Sequence, residues 1–586
     1  MFHPCHGADA GADRAPRRRR RLAALLSAAL VALGLSAATV PTAAAATGCS
    51  AAYTTQSEWS GGFVGSITVT DSGTTALTAW TVTFTFPGDQ KVTSNWNSSL
   101  AQSLEYVTAS NLAYNGALGA GSSTSFGFQG TWGSSDAVPT SLTCTPAATV
   151  TPALVATTSS APVMQGFTDS FGIALSQQPA AAVTVSVARS SGNSALTVGS
   201  GASLTFTPTN WNTAQNVTIA AAAGTGSAVF AATSSGYTSA SVTLTEVAAT
   251  PAPQLHVSGN KIEDASGNQV VLHGVNHSGG EYACVQGWGI WDGPVDEASI
   301  LAMKSWTHVT AVRVPLNEAC WNAESYVNSA YAGATYISAV KNYVNLLNAN
   351  GIVAILDLHW TDGTYTGNSA GCSSAQATCQ KPMPDAAQAI PFWSSVAATF
   401  KGNNAVVFDL FNEPYASRAT GDTTTGWQCW LNGGTCAGIG YPVAGMQAMV
   451  NAVRAAGASN LLMLGGEEYS NDLSQWLAYE PTDPDGDLVA SWHSYGFNTC
   501  NTQACWTAQV APVMAKVPVL VGEMGESDCG GSYMDGLTSW LETENTGFLA
   551  WTWNAWGSCA NVLITDSAGD PTPFGAAYKA ILEALP

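Results

Sequence analysis

The stretch from Val406 to Pro414 reads VVFDLFNEP, and it determines how the largest part of the chain folds. A run of apolar residues with one interior Asp is typical of a parallel strand that is buried on both faces. Pro414 stops the strand, so Asn412 and Glu413 project where its carboxyl end meets the loops. In a parallel barrel this end of the strands carries the reactive side chains.

A second apolar run, Val517 to Gly525 (VPVLVGEMG), also ends in an acid, Glu523, 110 residues after Glu413. Two carboxylates at strand ends suit the hydrolysis of a glycosidic bond, because one must protonate the leaving oxygen while the other attacks the sugar carbon. A retaining reaction needs the two groups about 5 to 5.5 Å apart. Parallel strands of one barrel can supply that distance.

From residue 255 to residue 586 a strand followed by a helix recurs, which predicts a (β/α)8 barrel, the TIM barrel fold. The runs VVLHGVN, HVTAVRV, IVAILDLH, AVVFDLFN, NLLMLGG, LVASWHSY, VPVLVGE and GFLAWTW are the eight strand candidates. A hairpin over Leu255 to Val271 is expected to close the barrel floor. A doubly wound open sheet is the alternative, but the strand ends lack a glycine-rich phosphate loop.

If the barrel forms, eight polar or aromatic side chains at the strand ends converge on one pocket. They are Arg313, His359, Asn412, Glu413, His493, Tyr495, Glu523 and Trp551. Glu526 and the pair Glu467 and Glu468 are rival acids, but Glu523 closes an apolar run and is preferred. His273 and His277 lie on a strand and a loop rather than on one helix face, so the sequence predicts no metal site. No cofactor is expected.

The motifs LHGVN, AVRVPLN, LDLHW, FNEP, HSY, VGEMG and AWTW occur in this order, and the segment 255–586 that carries them resembles glycoside hydrolase family 5. The resemblance implies that Glu413 is the general acid and base and that Glu523 is the nucleophile of a retaining double displacement. Arg313 and Tyr495 would hold Glu523, and Asn412 would bind the sugar 2-hydroxyl. His359 and His493 would bind hydroxyls or orient the acid, and Trp551 would form the floor under the reacting sugar.

The N-terminal 46 residues are expected to be a secretory signal, so the protein is predicted to be extracellular. Arg17 to Arg21 form a basic segment, an apolar run follows over Leu22 to Leu35, and Ala44 to Ala46 form a small-residue cleavage site. A membrane anchor is the alternative, but the apolar run is about 14 residues, shorter than the ~20 that a membrane span needs. Export by the general or the twin-arginine route stays open, as does the true start codon.

After the signal, 12 Lys and Arg face 37 Asp and Glu, a formal charge of −25, which makes nucleic acid an improbable partner. Twelve cysteines remain, an even number that suits an oxidising compartment. A zinc site is disfavoured because these cysteines form no CxxC pair. The expected disulfides are Cys49–Cys144, Cys284–Cys320, Cys372–Cys379, Cys429–Cys436, Cys500–Cys505 and Cys529–Cys559.

Residues 47–146 alternate in short strands and predict a small all-β module. The bounding cysteines and the runs SEWSGGF, TSNWNSSLAQS, AYNGALGAGSSTSFGFQG and PTSLTC resemble a family 2 carbohydrate-binding module. The resemblance implies that Trp59, Trp96 and Tyr114 form a cellulose-binding strip. The alternative is that these rings are core, as is expected for Trp80.

Residues 150–248 carry almost no charge and read as a second β-sandwich, similar to immunoglobulin-like spacers, and a binding module is the alternative. Thr250 to Pro253 would be a short stiff linker. In the barrel, seven tryptophans in predicted loops could stack sugars along a cleft. They are Trp288, Trp291, Trp321, Trp360, Trp427, Trp430 and Trp556.

These observations predict a secreted, monomeric, three-module glycoside hydrolase that acts on cellulose or another plant cell-wall polysaccharide, with endo-β-1,4-glucanase activity as the first choice. Other family 5 specificities are β-mannanase, exo-β-1,3-glucanase and side-chain glycosidase. The loop motifs EYACVQGWGIWDGP and NEACW depart from the endoglucanase pattern, so a specificity other than cellulase stays open. A non-catalytic carbohydrate-binding protein is the alternative from another class. Whether the cleft is an open groove or a closed pocket stays open.

Overall fold

The computed structural model describes residues 48–112, 114–133, 137–146, 152–371 and 373–586. The predicted signal, residues 1–46, lies outside these ranges. The described residues form two all-β bodies followed by a closed barrel, as the sequence predicts. No helix among them is both long and apolar enough to cross a membrane.

The N-terminal body is a two-sheet β-sandwich. Its strands are β1 (Cys49–Trp59), β2 (Gly62–Asp71), β3 (Trp80–Thr85), β4 (Lys91–Trp96), β5 (Ser99–Ser103), β6 (Tyr106–Ser110), β7 (Ser123–Thr131) and β8 (Thr140–Pro146). The sheet orders are β1-β2-β7-β4 and β5-β6-β3-β8. Alternate residues such as Ile67, Val69, Trp80 and Val82 are fully buried between the sheets, because strand side chains alternate between the two faces. The prediction that Trp80 is core is confirmed.

The middle body is a second sandwich. Its strands are β9 (Leu154–Ala156), β10 (Ser160–Met164), β11 (Thr168–Leu175), β12 (Val183–Gly192), β13 (Leu196–Ser200), β14 (Ser203–Phe206), β15 (Gln215–Ala221), β16 (Gly226–Thr233) and β17 (Ala240–Val247). One sheet has the order β10-β17-β16-β12-β14 and the other β13-β15-β11-β9. Val242 and Leu244 on β17 are buried, whereas Ser241 and Thr245 face solvent, which is the period-2 pattern of a sandwich strand.

The C-terminal body begins with the hairpin β18 (Leu255–Ser258) and β19 (Lys261–Asp264). Eight parallel strands then close a barrel in sequence order. They are β20 (His273–Asn276), β21 (Ala311–Asn317), β22 (Val353–Trp360), β23 (Val406–Asp409), β26 (Leu462–Gly465), β27 (Leu488–Tyr495), β28 (Val519–Gly525) and β29 (Gly547–Ala550), with the small pair β24 (Gly433–Gly434) and β25 (Val443–Ala444) outside the barrel. All eight predicted strands are present. Leu255 and Ile262 of the hairpin pack against the first residues of the barrel strands, so the hairpin closes the floor.

Helices surround the barrel. They are α1 (Ala283–Gln286), α2 (Glu297–Lys304), α3 (Glu318–Asn322), α4 (Ala334–Ala349), α5 (Ala389–Phe400), α6 (Ala416–Thr420), α7 (Thr423–Asn432), α8 (Met446–Ala455), α9 (Glu467–Ser470), α10 (Gln503–Cys505), α11 (Ala511–Met514), α12 (Ser532–Thr543) and α13 (Pro573–Ala584). Side-chain caps start several of them. For example, Asp296 accepts the N–H of Ser299 at α2, and Thr572 accepts that of Gly575 at α13.

The segment predicted to be a stiff linker is attached to the barrel. The N–H of Thr250 donates to the carbonyl of Ala349 (2.7 Å), and that of Ala252 donates to the carbonyl of Asn348 (2.8 Å). Ala252 is also buried with the floor residues, and Met164 of the middle sandwich belongs to the barrel's core. Hydrogen bonds and burial therefore hold the segment against the barrel. The middle sandwich also packs on the barrel through Met164.

One strand end differs from the prediction. β23 ends at Asp409 rather than at Asn412. The N–H of Leu410 still bonds to Met463 on one side, but that of Asn412 bonds to Leu358 on the other. Because the backbone crosses from one neighbour to the other, the ladder breaks before Asn412 and Glu413. Both residues therefore stand on an irregular loop that two strands support.

Five of the six expected disulfides join described residues. They are Cys49–Cys144, Cys284–Cys320, Cys429–Cys436, Cys500–Cys505 and Cys529–Cys559. Cys379 is disulfide-bonded, but Cys372, its predicted partner, lies outside the described residues. The bond between Cys49 and Cys144 spans 95 residues, and a loop of this length stabilises a folded module by about 4 to 5 kcal/mol through the entropy of the unfolded chain.

Candidate active site

Arg313 is the centre of a buried polar network in the barrel mouth, and its side chain has no exposed surface. Its Nε donates to Asp409 Oδ2 (2.9 Å), and its Nη1 donates to Glu523 Oε1 (2.7 Å). Its Nη2 donates to Asn412 Oδ1 (2.9 Å) and lies 3.1 Å from Asp357 Oδ2. One guanidinium from β21 therefore contacts groups from β22, β23 and β28 and from the loop after β23.

Asp357 and Asp409 were not among the predicted site residues. Each stands inside an otherwise apolar strand, in LDLH and VVFDLF. The signal was present in the sequence, because a buried carboxylate needs a cation or several donors. Arg313 is that cation: it lies on β21, next to the strand of Asp357 and two strands from that of Asp409.

Three carboxylates face this single guanidinium, which cannot neutralise them all. Burial raises the pKa of Asp357 to about 7 and that of Asp409 to about 8, although Arg313 lowers both. For Arg313 the attraction of these carboxylates outweighs burial and raises its pKa. The guanidinium therefore stays charged, and burial favours the protonated form of both interior acids.

Glu523, on β28, is held from two sides and is only 5% exposed at its side chain. Arg313 Nη1 contacts one carboxylate oxygen, and the Tyr495 hydroxyl donates to the other at 2.6 Å. Burial, followed by the charge of Glu523, raises the pKa of Tyr495 well above its ordinary value, so the phenol stays a donor. Such charge-assisted hydrogen bonds orient a carboxylate firmly.

Glu413 has a different environment. Its side chain is 23% exposed, and its Oε1 lies 3.2 Å from His493 Nδ1. Burial raises the pKa of Glu413, although His359 and Arg313 lower it. Burial also lowers the pKa of His493 to about 3, so the imidazole is neutral. A carboxyl group with a raised pKa stays protonated to higher pH, which is what a general acid requires.

The two glutamates approach each other closely. Ligand atoms of Glu413, His493 and Glu523 all lie within 4.8 Å of one another. An approach this close favours the paired carboxyl groups of a retaining glycosidase, ~5 to 5.5 Å apart, over the ~6.5 to 9.5 Å separation of an inverting one. The same three groups are also close enough to ligate a cation, but carboxylate-pair chemistry needs none. The sequence expectation of no metal and no cofactor stays a prediction.

His359, Asn412 and Trp551 line the space next to the glutamates. His359 Nδ1 lies 2.6 Å from Asp357 Oδ2, and its ring stacks on that of Trp551 with centroids 5.5 Å apart. Burial lowers the pKa of His359 to about 4, so this ring is neutral too. The amide of Asn412 donates to Gln380 Oε1 (3.0 Å); Gln380 was also missed from the sequence, where it stands in a loop without a pattern.

A strained turn supports the backbone on both sides of Glu413. Glu468, Tyr469 and Ser470 have φ values of 57°, 62° and 58°, a left-handed conformation that costs each non-glycine residue roughly 1 to 2 kcal/mol. The N–H of Tyr469 donates to the carbonyl of Pro414, and the Ser470 hydroxyl donates to that of Asn412, both at 2.8 Å. Strain of this kind persists where surrounding contacts impose it, often at functional sites.

The rival acids have structural partners elsewhere. Glu467 is buried and accepts the N–H of Ser417 (2.9 Å), and Glu468 forms an ion pair with Arg418 (2.5 Å). Glu526 accepts the N–H of Tyr533 in the first turn of α12 (2.9 Å). These contacts explain the three acids without a catalytic role.

Three of the seven tryptophans predicted to stack sugars do not line an open cleft. Trp321, Trp427 and Trp430 are fully buried. Their predicted loop positions were wrong, because Trp321 lies on helix α3 and the other two lie on helix α7. Trp291 and Trp360 are partly buried and pack on the barrel's core, whereas Trp288 and Trp556 are exposed.

The N-terminal sandwich presents the three predicted aromatic side chains to solvent. Trp59, Trp96 and Tyr114 are 46%, 44% and 72% exposed, so the alternative that they are core is wrong. Trp59 lies over Gly62, its partner on β2, and Trp96 lies over Gly127, its partner on β7. A Cβ at these glycines would come within 2.5 Å and 2.3 Å of the indole rings.

Both tryptophans cover the same face of their sheet. Gly127 pairs with Ser66, four residues along β2 from Gly62, and residues an even number apart share a face. The strand rise separates the two covered positions by roughly 13 Å. Since each ring rests on a position without a side chain, the indoles lie flat, as stacking on the apolar face of a sugar requires.

We expect Gly127→Val to weaken attachment of the full chain to insoluble cellulose by roughly threefold to tenfold, because the added side chain lifts Trp96 off the sheet and loses one aromatic contact. A depletion isotherm on crystalline cellulose measures this. Gly119→Val is the matched control, because a Cβ there meets its nearest atom at 3.5 Å. Equal attachment of the two variants would contradict the requirement for a flat ring.

The barrel fold and the close pair of carboxyl groups at its mouth are typical of one class of protein, the enzymes that hydrolyse glycosidic bonds. Residues 263–557 match the family described as Cellulase (glycosyl hydrolase family 5), and residues 49–149 match the family described as Cellulose binding domain. The first match covers half of the chain. The chain belongs to glycosyl hydrolase family 5 and carries an N-terminal cellulose-binding domain, so both predicted families are confirmed.

Curated relatives share a smaller part of the chain. Endoglucanase CelA of Streptomyces lividans is 39% identical over 125 residues, which is 21% of this chain and 27% of the relative. Exoglucanase A of Cellulomonas fimi is 44% identical over 101 residues, which is 17% of this chain and 12% of the relative. Chitinase C of Streptomyces lividans is 44% identical over 115 residues, which is 20% of this chain and 18% of the relative. The chain thus spans about a quarter or less of these relatives, and the endoglucanases match in the carbohydrate-binding region.

Two solved structures illustrate the similarity. A cellulose-binding family 2 carbohydrate-binding domain is 33% identical, covers 17% of this chain and 99% of that chain, and has a TM-score of 0.16. An endogalactoceramidase is 18% identical, covers 56% of this chain and 84% of that chain, and has a TM-score of 0.41.

Proposed function

We propose that this protein is a secreted, retaining endo-β-1,4-glucanase that acts on cellulose. The observation that carries the catalytic part of the proposal is the approach of Glu413, His493 and Glu523 ligand atoms to within 4.8 Å of one another. The two carboxyl groups also have complementary surroundings. Glu523 accepts hydrogen bonds from Arg313 and Tyr495, whereas burial favours the protonated form of Glu413.

In the first step a carboxylate oxygen of Glu523 attacks the anomeric carbon. The bond from that carbon to the leaving oxygen breaks, and Glu413 transfers its proton to this oxygen. A glycosyl ester of Glu523 forms, and the shortened chain leaves as an alcohol. Arg313 and Tyr495 hold the nucleophile in line, while His493 orients the acid.

In the second step Glu413, now a carboxylate, takes a proton from a water molecule. The water oxygen attacks the anomeric carbon from the side that the leaving group occupied, and the ester bond to Glu523 breaks. Two inversions give net retention at the anomeric carbon. Asn412 supports both steps through the sugar 2-hydroxyl, and Trp551 forms the floor beneath the ring.

Two features support cellulose as the polymer. The N-terminal domain presents flat aromatic rings on one face, and its family match is a cellulose-binding domain. The chain is also strongly acidic, with a pI of about 4.5, which suits a neutral polymer better than a polyanion. Trp288 and Trp556 are 50% and 46% exposed, and exposed aromatic rings of this kind support binding along a chain rather than at its end.

A second candidate is another family 5 specificity on a neutral β-glycan, with the N-terminal domain acting only as an anchor. The relatives of that domain are named as endoglucanase, exoglucanase and chitinase, so the anchor does not determine which bond is cut. The segment EYACVQGWGIWDGP, whose motif leaves a specificity other than cellulase open, follows β20.

The test is the product profile of the mature protein on carboxymethylcellulose, β-mannan, xylan, laminarin and wall polymers decorated with arabinose or galactose, with Glu523→Gln as the blank. Rapid loss of viscosity on carboxymethylcellulose, together with mixed oligosaccharides, is expected. Release of monosaccharide from another polymer without loss of viscosity would overturn the proposal in favour of the second candidate.

A further inference from the structure

A side chain from a loop outside the barrel contacts both residues that follow the broken end of β23. Gln380 lies in the long loop after β22 and is partly exposed. Its Nε2 donates to the carbonyl oxygens of Lys381 and Glu413, both at 3.0 Å. Its Oε1 accepts a hydrogen bond from Asn412 Nδ2, also at 3.0 Å. One side chain therefore contacts the proposed general acid and the residue before it.

The partners of Gln380 allow only one orientation of its amide group. The two carbonyl oxygens can only accept hydrogen bonds, so the NH2 group must face them and the amide oxygen must face Asn412. Asn412 is oriented in the same way from its other end, because Arg313 Nη2 can only donate and binds Asn412 Oδ1 at 2.9 Å. The two amide groups are therefore oriented in series by groups that cannot exchange the roles of donor and acceptor.

The second N–H of Asn412 is the one that a ligand can use. It faces His359 Nε2 at 3.3 Å. Burial lowers the pKa of His359 to about 4, so its ring is neutral. Because His359 Nδ1 lies 2.6 Å from Asp357 Oδ2, Nδ1 carries the proton and Nε2 accepts. The contact with His359 is longer than that with Gln380, so a substrate hydroxyl can share this N–H while Gln380 keeps the other.

Side chains replace strand pairing at this point of the barrel. β23 ends at Asp409, before the two site residues. Beyond that end, the Ser470 hydroxyl donates to the carbonyl of Asn412 (2.8 Å), and Gln380 donates to that of Glu413 (3.0 Å). Of these two supporting side chains, Gln380 also binds the side chain of Asn412. It therefore couples the backbone of the acid to the orientation of the neighbouring amide.

The loop that carries Gln380 is anchored on both sides of this residue. Asn317 Nδ2, at the end of β21, donates to the carbonyl of Ala377 (2.7 Å). The N–H of Tyr415 donates to the carbonyl of Pro382 (3.0 Å). Since both flanks are bound to the barrel, the Gln380 side chain is held in place before a substrate arrives. Such support from outside the reacting centre is what keeps a site in its productive geometry.

We propose that Gln380 is a positioning residue for the glycosidase reaction, which holds the amide of Asn412 in the orientation that binds the sugar 2-hydroxyl and fixes the backbone of Glu413 beside it. The inference rests on the proposed function and deepens it, because the hydrogen bond to the 2-hydroxyl strengthens in the transition state. Gln380 acts through Asn412 and needs no contact with the sugar. Its loss therefore lowers kcat rather than raising KM.

The test measures how much the 2-hydroxyl contributes to the rate. In the mature full-length protein, kcat/KM is compared for 4-nitrophenyl β-cellobioside and for its analogue that lacks the 2-hydroxyl on the sugar next to nitrophenol; the β-mannobioside pair is measured in parallel. Both members of a pair have the same leaving group, so the ratio of their kcat/KM values isolates that hydroxyl. For the wild type we expect a ratio of about 100 or more. Gln380→Met, similar in length but without hydrogen-bonding groups, should lower the ratio about tenfold.

Two further variants show whether Gln380 acts through Asn412. Asn412→Ala removes the amide that Gln380 orients and should itself lower the ratio. The double variant that combines Asn412→Ala with Gln380→Met should have the same ratio as Asn412→Ala alone, because nothing is left to orient. Gln376→Met is the matched control: this exposed residue lies in the same loop and bonds to Ser374 and Thr378 through its backbone. It should keep the wild-type ratio.

The outcomes separate the role of Gln380 from the proposed function. If Gln380→Met slows both members of a pair equally, or lowers the ratio further in the absence of the Asn412 amide, the positioning role is wrong even if cellulose is hydrolysed. A wild-type ratio near one overturns that role as well. A high ratio for the mannose pair alone, lowered by Gln380→Met, supports the positioning role and overturns the β-1,4-glucanase. Inactivity of the wild type on all four substrates overturns both.

Discussion

Glu523→Gln is expected to lower kcat on soluble β-glucan by about 10⁴-fold or more, the scale that loss of a nucleophile brings. The amide is close in size to the carboxylate, so the fold is preserved, but its oxygen cannot form the glycosyl ester. Attachment to insoluble cellulose should stay at the wild-type level, because the aromatic face of the N-terminal domain does not include this residue. Initial rates and a depletion isotherm on the same preparation measure both effects.

Tyr495→Phe is the matched control for this variant. It removes the donor at 2.6 Å from Glu523 Oε2 but leaves the nucleophile, and loss of one hydrogen bond to a charged group costs roughly 1.5 to 3 kcal/mol, or about 10- to 150-fold in rate. A Glu523→Gln protein with near-normal activity would refute the assignment of the nucleophile. Loss of cellulose attachment together with activity would argue against separate modules.

Glu413→Ala is expected to lower the rate of hydrolysis by a factor that depends on the leaving group of the substrate. On cellulose oligosaccharides we expect a fall in kcat of about 10²- to 10⁴-fold, the usual contribution of general acid catalysis. With a 2,4-dinitrophenyl glycoside the leaving group needs no proton, so the first step should be nearly normal and the glycosyl ester should accumulate. A burst of dinitrophenol, followed by slow turnover that added azide accelerates, is the expected signature.

The pH profile supplies the control for this assignment. Because burial raises the pKa of Glu413, the acid stays protonated above the ordinary range of a glutamate, and kcat/KM of the wild type should fall only as pH rises through that elevated pKa. In Glu413→Ala this alkaline limb should disappear for the dinitrophenyl substrate. If it persists there, the proton belongs to another group, with Asp357 and Asp409 as the nearest alternatives.

Much of the barrel and most of the candidate site could be predicted from the sequence. Apolar runs identify the strands because both faces of a parallel strand are buried, and a polar residue that ends such a run must lie at the mouth. This reasoning found Arg313, Asn412, Glu413 and Glu523. It missed Gln380, which stands in a loop whose path no periodic pattern records.

Two of the tryptophans predicted to lie in loops were wrongly assigned to the site. Trp427 and Trp430 were predicted to lie in a loop at the cleft, yet both lie on helix α7 and are fully buried. Sequence alone does not say whether a long loop lies over the cleft or folds back against a helix, since the same apolar side chain suits either position. Trp556 and Trp288 differ from them by contacts, not by any local pattern.

By itself, the sequence determined the order of the modules, the closed parallel barrel and the pair of strand-end acids, because periodicity and strand ends are local properties of the chain. The tertiary structure decided what depends on distance between remote segments. It brought Arg313 within hydrogen-bonding reach of three carboxylates and fixed Thr250 and Ala252 to the barrel. These contacts join residues about 40 to 210 positions apart; they arise from packing, and no single stretch of the chain records them.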